Sequence, residues 1–220
     1  MSFCVLDDAS ANVPARSFVK RLRHAVLATT LMLGCATTTT TAPAPPPTPP
    51  PTLAGAWQSA CFAVHNADDT DGSARIVHGF TDTLWSMDTA LFSDAACVDA
   101  TATLHVDGGY VLEGPSTSTN GAWDVRFEIR SRTITPHVEG FIAFLQAMSC
   151  GDDYGVDRAT DAFEVSCAAF DWPAATTCGT ELDVVRVDGT TLWRGLRPTN
   201  GDLCAATQRP TALGLPTTRM

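Results

Sequence analysis

The chain has 220 residues and carries 24 Asp and Glu against 14 Lys and Arg, a formal net charge of −10. Only two of those acids but four of the bases precede residue 53, so the 168 residues from 53 onward hold 22 acids against 10 arginines and no lysine, a net charge of −12. That balance argues against binding nucleic acid or anionic lipid headgroups, both of which demand basic patches; the length suits one domain burying about 70% of its unfolded surface.

Taken in chain order, residues 1–15 include Asp7 and Asp8 and fit a basic leader poorly. They are expected to be an over-long start, outside the fold. Lys20, Arg21 and Arg23 then precede an apolar run over 25–34 that ends at Gly34-Cys35. The run is far short of the ~20 residues a helix needs to span a bilayer, but it has the length of a secretory h-region. Its ending, Met32-Leu33-Gly34-Cys35, resembles the lipobox of bacterial lipoproteins. The resemblance implies that residues 1–35 are a cleaved signal and that Cys35 becomes the acylated N-terminus. Residues 36–52 hold seven threonines, seven prolines and three alanines, with no charge. Such a segment favours extended polyproline-like conformations and, at ~3.1 Å per residue, reaches roughly 50 Å. It reads as a tether that lets a domain at 53–220 stand clear of the membrane. Ala36 stands where an aspartate would signal inner-membrane retention, so the same resemblance implies the outer membrane.

Within 53–220 most segments read as antiparallel strands. Ala56 to Val64 and Thr81 to Phe92 are two of them. Thr101–Val106 alternates with Ala102, Leu104 and Val106 inward, and Asp107-Gly108-Gly109 predicts a hairpin turn leading to Tyr110–Leu112. Asp124–Arg130 places Val125, Phe127 and Ile129 on one face and four charges on the other. A helix is predicted after Thr135 as cap and Pro136 in the first turn, with Phe141, Ile142, Phe144, Leu145 and Met148 forming one apolar stripe. Gly151 is the expected left-handed stop. Leu182–Val187, the turn Asp188-Gly189 and Thr190–Trp193 predict a late hairpin. The fold class is therefore mainly β: an antiparallel barrel or strongly curved sheet with one wet face and one amphipathic helix.

Six cysteines lie in this domain, an even number that in an exported chain implies disulfides. Spacing suggests Cys61–Cys97, Cys150–Cys167 and Cys178–Cys204 among fifteen connectivities, and no C-x-x-C pair supports zinc. Catalytic and metal signatures are missing: there is no G-x-S-x-G, H-E-x-x-H or Walker-type loop. His137-Val138-Glu139 lacks the P-C-x-x-C partner of zinc deaminases. Asp69-Thr-Asp71-Gly72 reads as a polar turn rather than a calcium loop, because Ala67 and His78 occupy ligand positions. His65, His78, His105 and His137 are scattered and point to no site. Asp152 and Asp153 are adjacent, and on a strand would face opposite sides, a poor acid–base pair. No catalytic residue, metal or cofactor is expected. The aromatics Trp57, Trp85, Tyr110, Trp123, Phe127, Trp172 and Trp193 fill the core or line an apolar cavity; sequence does not separate the two.

Leu53-Ala-Gly55-Ala-Trp57-Gln-Ser59-Ala-Cys61, Phe92-Ser-Asp94-Ala-Ala-Cys97 and Gly109-Tyr110 resemble the module repeated in the adenomatosis polyposis coli down-regulated 1 proteins. So do Glu181-Leu-Asp183, Leu192-Trp-Arg-Gly195 and Arg209-Pro210-Thr211. The resemblance implies a lipocalin-like antiparallel barrel that binds lipid or another apolar ligand; the Wnt-related partners of the animal proteins are not carried over to a lipoprotein of bacterial type. The expectation is an exported, membrane-anchored binder without catalysis, with Trp85 and Phe127 as pocket residues, no nucleic-acid partner and no protein partner named. Two other classes are open. A non-catalytic structural or interaction module would have a filled barrel. An enzyme would need a carboxylate pair facing each other inside a cleft.

Overall fold

A computed structural model describes residues 49–65, 71–170, 172–198 and 203–220. The expected signal, Cys35, most of the tether and Asp69 lie outside the described residues. In chain order the elements are β1 (Gly55–Ser59), β2 (Phe62–His65), β3 (Asp71–Phe80), β4 (Leu84–Phe92), β5 (Ala100–Pro115), β6 (Trp123–Pro136), α1 (Glu139–Ala147), β7 (Thr160–Asp161), β8 (Thr180–Asp188), β9 (Thr191–Gly195) and β10 (Leu213–Arg219).

Neighbouring strands pair in the order β3, β4, β5, β6, β8, β9, β10, and β1 pairs with both β10 and β3, so the sheet closes. The result is an eight-stranded, antiparallel, up-and-down barrel, consistent with a lipocalin-like barrel. Trp57 sits at the seam, opposite Arg219 on one side and His78 on the other. The predicted strand from Ala56 to Val64 is broken at Ala60-Cys61 into β1 and β2, both of which pair with β3. Ser59 fills the break by accepting the Ile76 backbone N–H at 2.9 Å. The one-sided alternation is the reason for closure: an eight-stranded barrel hides one face and removes both sheet edges.

Two ends of the barrel differ. At the hairpin end β3 turns into β4, β5 into β6, and β8 into β9. Here the interior is solid with aromatics: Trp85 and Phe127 rings lie 4.5 Å apart, and Phe80 meets Tyr110 edge-on at 5.4 Å. At the helix end, Ile142 and Leu145 of α1 are buried, with Phe141 and Phe144 partly so. Phe141 stacks on Phe170, which in turn packs on Trp172. The three disulfides Cys61–Cys97, Cys150–Cys167 and Cys178–Cys204 are formed. The last ties the base of β8 to the connection between β9 and β10, closing a loop around the β8–β9 hairpin.

Four local predictions are corrected. Asp107-Gly108-Gly109 is no hairpin: β5 runs unbroken for 16 residues through it. The ladder instead skips there, from Asp107 opposite Ser131 to Gly108 opposite Ile129, leaving Arg130 as the extra residue of a β-bulge in β6. Gly108 is required by close approach, since a Cβ there would overlap the Glu128 carbonyl oxygen and come within 3.2 Å of the Arg130 nitrogen. Second, Thr135 and Pro136 finish β6 rather than start the helix; the cap position is Val138, with no side-chain cap bond. Third, the first positive-φ residue after α1 is Ser149 (φ 56°), two positions before Gly151, which also takes a positive φ (104°). Fourth, Asp71-Gly72 opens β3 instead of completing a turn. The late hairpin is present, its loop one residue later at Gly189-Thr190.

Candidate functional site

The interior is hollow between the aromatic plug and the helix end. A cavity of about 200 Å³, partly open to solvent, lies there. Its apolar wall comes from alternate inward positions of neighbouring strands: Trp85 and Met87 on β4, Leu104 and Val106 on β5, Ile129 on β6. Phe170 and Trp172 line it from the covering segment, and Leu196 and Leu203 from the β9–β10 connection.

Into this apolar space the strands also send charges. On β8 the inward parity is Glu181, Asp183, Val185. Asp183 is 1% exposed, and its carboxylate accepts from the Val184 and Gly195 backbone N–H groups at 2.7 and 3.0 Å. It also accepts from Arg194 Nε at 2.9 Å and Nη2 at 2.7 Å. Gly195 permits that approach, because any Cβ there would collide with Asp183 Oδ1 and with Pro210. The Arg194 guanidinium lies 4.3 Å over the Phe127 ring and 5.3 Å over Trp85, and reaches Glu181 Oε2 at 3.9 Å. Arg197 holds Glu181 Oε1 at 2.8 Å. Burial alone would push the Glu181 carboxyl up; Arg197 and Arg194 outweigh it and hold it below the ordinary carboxylate range.

Two further polar residues line the cavity with groups left over. His78, 4% exposed on β3, is held well below the usual imidazole range by burial, with Arg194 adding repulsion. Its Nδ1 has no hydrogen-bond partner, and neither does the buried Trp85 Nε1. Arg132 is 1% exposed. Its Nη1 donates to the Pro173 carbonyl at 2.9 Å and its guanidinium lies 4.5 Å over Trp172, but Nε is unpartnered. Burial lowers its pKa, with Glu181 opposing that and Arg197 reinforcing it.

The bulge explains why Arg132 is inside. Up to Ile129 the odd residues of β6 are buried; after the extra residue Arg130, the even ones are, namely Arg132, Ile134 and Pro136. Strict alternation from Val125 would leave Arg132 on the wet face with Arg126, Glu128 and Arg130. Gly108 makes room for this bulge, and the bulge turns the Arg132 guanidinium inward.

Of the expected pocket residues, Trp85 lines the cavity, while Phe127 lies under Arg194 outside the wall. Trp172 lines it from the helix end; Trp57, Tyr110, Trp123 and Trp193 do not. Of the histidines called scattered, His78 is in the wall. His105 is bonded on the outside to Asp88 at 2.6 Å, and His137 is tied to Asp157 and Thr103. Asp152 and Asp153 sit in an exposed loop rather than on a strand, and Asp153 pairs with Arg158. Among the described residues no group of His, Cys, Asp and Glu could hold a metal ion, and no helix is long and apolar enough to cross a membrane. The sequence reading missed Glu181, Asp183, Arg194 and Arg197. A signal was present: two acids at i and i+2 on one strand face two arginines beyond the following turn.

No protein-family model matches this chain, and no curated protein matches it.

Proposed function

We propose that the protein is a lipid-anchored envelope protein whose barrel binds a small, largely apolar molecule carrying a polar head, without catalysing a reaction. The observation that carries this reading is a partly open cavity inside the barrel whose mostly apolar wall includes Arg132, a cation with no carboxylate partner among the described residues. A largely apolar hollow with a few convergent polar groups is the form that small-molecule sites take. The volume of about 200 Å³ is below the ~300 Å³ where drug-sized sites begin. It suits a short molecule or the end of a longer one, rather than a whole lipid. The sequence likeness to the adenomatosis polyposis coli down-regulated 1 module supports the same class of function.

The anchoring half of the proposal rests on the lipobox-like Met32–Cys35 and the tether over 36–52. Three disulfides support an oxidising compartment outside the cytosol. Cys35 carries the acyl chains, and Cys35→Ala releases the protein from the membrane fraction.

An enzyme is the second reading, favoured by Glu181 and Asp183 sharing one inward face. Each is neutralised by arginine, and a Glu181 carboxyl held low is a weak proton carrier near neutral pH. The deciding experiment is native mass spectrometry of the full-length protein gently extracted from envelopes. A small-molecule adduct that dissociates on activation is expected; a bare mass from every extraction, together with no binding of any small apolar probe, refutes the reading.

A further inference from the structure

Resting on that reading, we infer that the cavity's ligand is a monoanion with a short apolar body, and that Arg132 receives its anionic head. Three guanidiniums line the cavity, and two of them are engaged by carboxylates: Arg194 by Asp183 and Arg197 by Glu181. Arg132 has no ion-pair partner among the described residues. Its nearest help is Glu181, within electrostatic reach but already held by Arg197 and Arg194. A cation 1% exposed, with one carbonyl as hydrogen-bond partner and no carboxylate in contact, is costly to bury. Stacking on Trp172 positions the guanidinium but brings no counter-charge.

The charge of Arg132 selects the ligand. A water molecule or an alcohol would accept from the guanidinium without neutralising it. A carboxylate does both, because its two oxygens accept from a guanidinium in parallel. His78 stays neutral and so adds no competing positive charge. The rest of the wall is carbon: Leu104, Val106, Ile129 and Phe170 face an apolar body. At ~30 Å³ per water-sized group, about 200 Å³ holds roughly seven such groups. Hexanoate is a probe of that size and charge.

The test titrates the full-length protein in lipid nanodiscs with hexanoate, hexan-1-ol and hexylammonium at neutral pH, with empty discs as blank. Trp85 and Trp172 line the cavity, so intrinsic fluorescence reports entry. Hexanoate is expected to bind at least tenfold more tightly than hexan-1-ol, with hexylammonium weakest. Arg132→Met is expected to bring hexanoate to the level of hexan-1-ol while leaving the alcohol within twofold. Hexan-1-ol binding the native protein within twofold of hexanoate overturns the inference and leaves the apolar site standing. That arm needs no variant, so a misfolded R132M cannot shelter the idea. If none of the three probes binds, the proposed function falls and the inference falls with it.

Discussion

The strongest dependence of this site on one residue is at Gly108. Replacing it with alanine adds a single methyl group, which lands on backbone: the Glu128 carbonyl oxygen overlaps it, and the Glu128 carbon and Arg130 nitrogen lie 2.8 and 3.2 Å away. No side chain can swing aside, so the strands must part at the bulge. Overpacking against rigid neighbours costs ~1–3 kcal/mol, and at least one ladder hydrogen bond is lost with it, another ~1 kcal/mol. The expected destabilisation is therefore about 2–4 kcal/mol, a fall in Tm of roughly 10 °C for a domain of this size. The control is the same substitution at Gly140, an exposed position of α1, where an added Cβ meets nothing within 4 Å. There alanine is expected to stabilise by ~0.5–1 kcal/mol, because glycine is a poor helix former and freer in the unfolded chain. Urea unfolding of the oxidised protein, followed by tryptophan fluorescence, reads both. Gly108→Ala within about 0.5 kcal/mol of the native protein, or Gly140→Ala equally damaging, would refute the packing argument.

Two further outcomes follow from the buried charges. His78 is neutral in the fold because burial, then Arg194, lowers its pKa, whereas unfolded it titrates near ~6.5. The unfolded state thus takes up the proton first, and stability declines as pH drops below ~6.5, by about 1.4 kcal/mol per unit until the folded pKa is reached. His78→Gln flattens that decline between about pH 6.5 and 5, before Glu181 contributes; an unchanged slope in denaturant titrations counts against the assignment. Asp183→Ala leaves the Arg194 cation, 14% exposed, with only Glu181 at 3.9 Å and takes the acceptor from the Val184 and Gly195 N–H groups, at a cost of ~3 kcal/mol or more. Adding Arg194→Met recovers much of it, and a double variant as unstable as the single one in thermal unfolding would show that the pair is not coupled.

How much of this was legible beforehand divides along one physical line. Alternation showed the strands, since period two follows from the pleat alone, and the β6 residues Val125, Phe127 and Ile129 are buried as their parity requires. The stripe on α1 was likewise visible, with Ile142 and Leu145 buried. What escaped were local features set by a neighbouring strand. Asp107-Gly108-Gly109 has the composition of a turn, and only the presence of Glu128 across the ladder makes it the tight side of a bulge. Pro136 has the composition of a helix start, yet it pairs with Ala102 as the last rung of β6. The interior charges were hidden for the same reason: nothing in the sequence marks Glu181 and Asp183 as inward until Arg194 and Arg197 are brought opposite them.

These misses share a cause with the site. A barrel with unbroken alternation has one dry side and one wet side, and each strand keeps its parity from end to end. Charge enters the inside of such a barrel by inward acids and bases placed in compensated pairs, or by a register slip that turns one cation in. This chain does both, on adjacent strands β8 and β6. The β8 acids are matched by the β9 arginine and by the segment that follows it, so that half of the lining is self-contained. The slip in β6 delivers Arg132 with no carboxylate to meet it. A folded interior that balances two of its guanidiniums and leaves a third idle beside a hollow has its imbalance in the one place where an incoming anion would remove it.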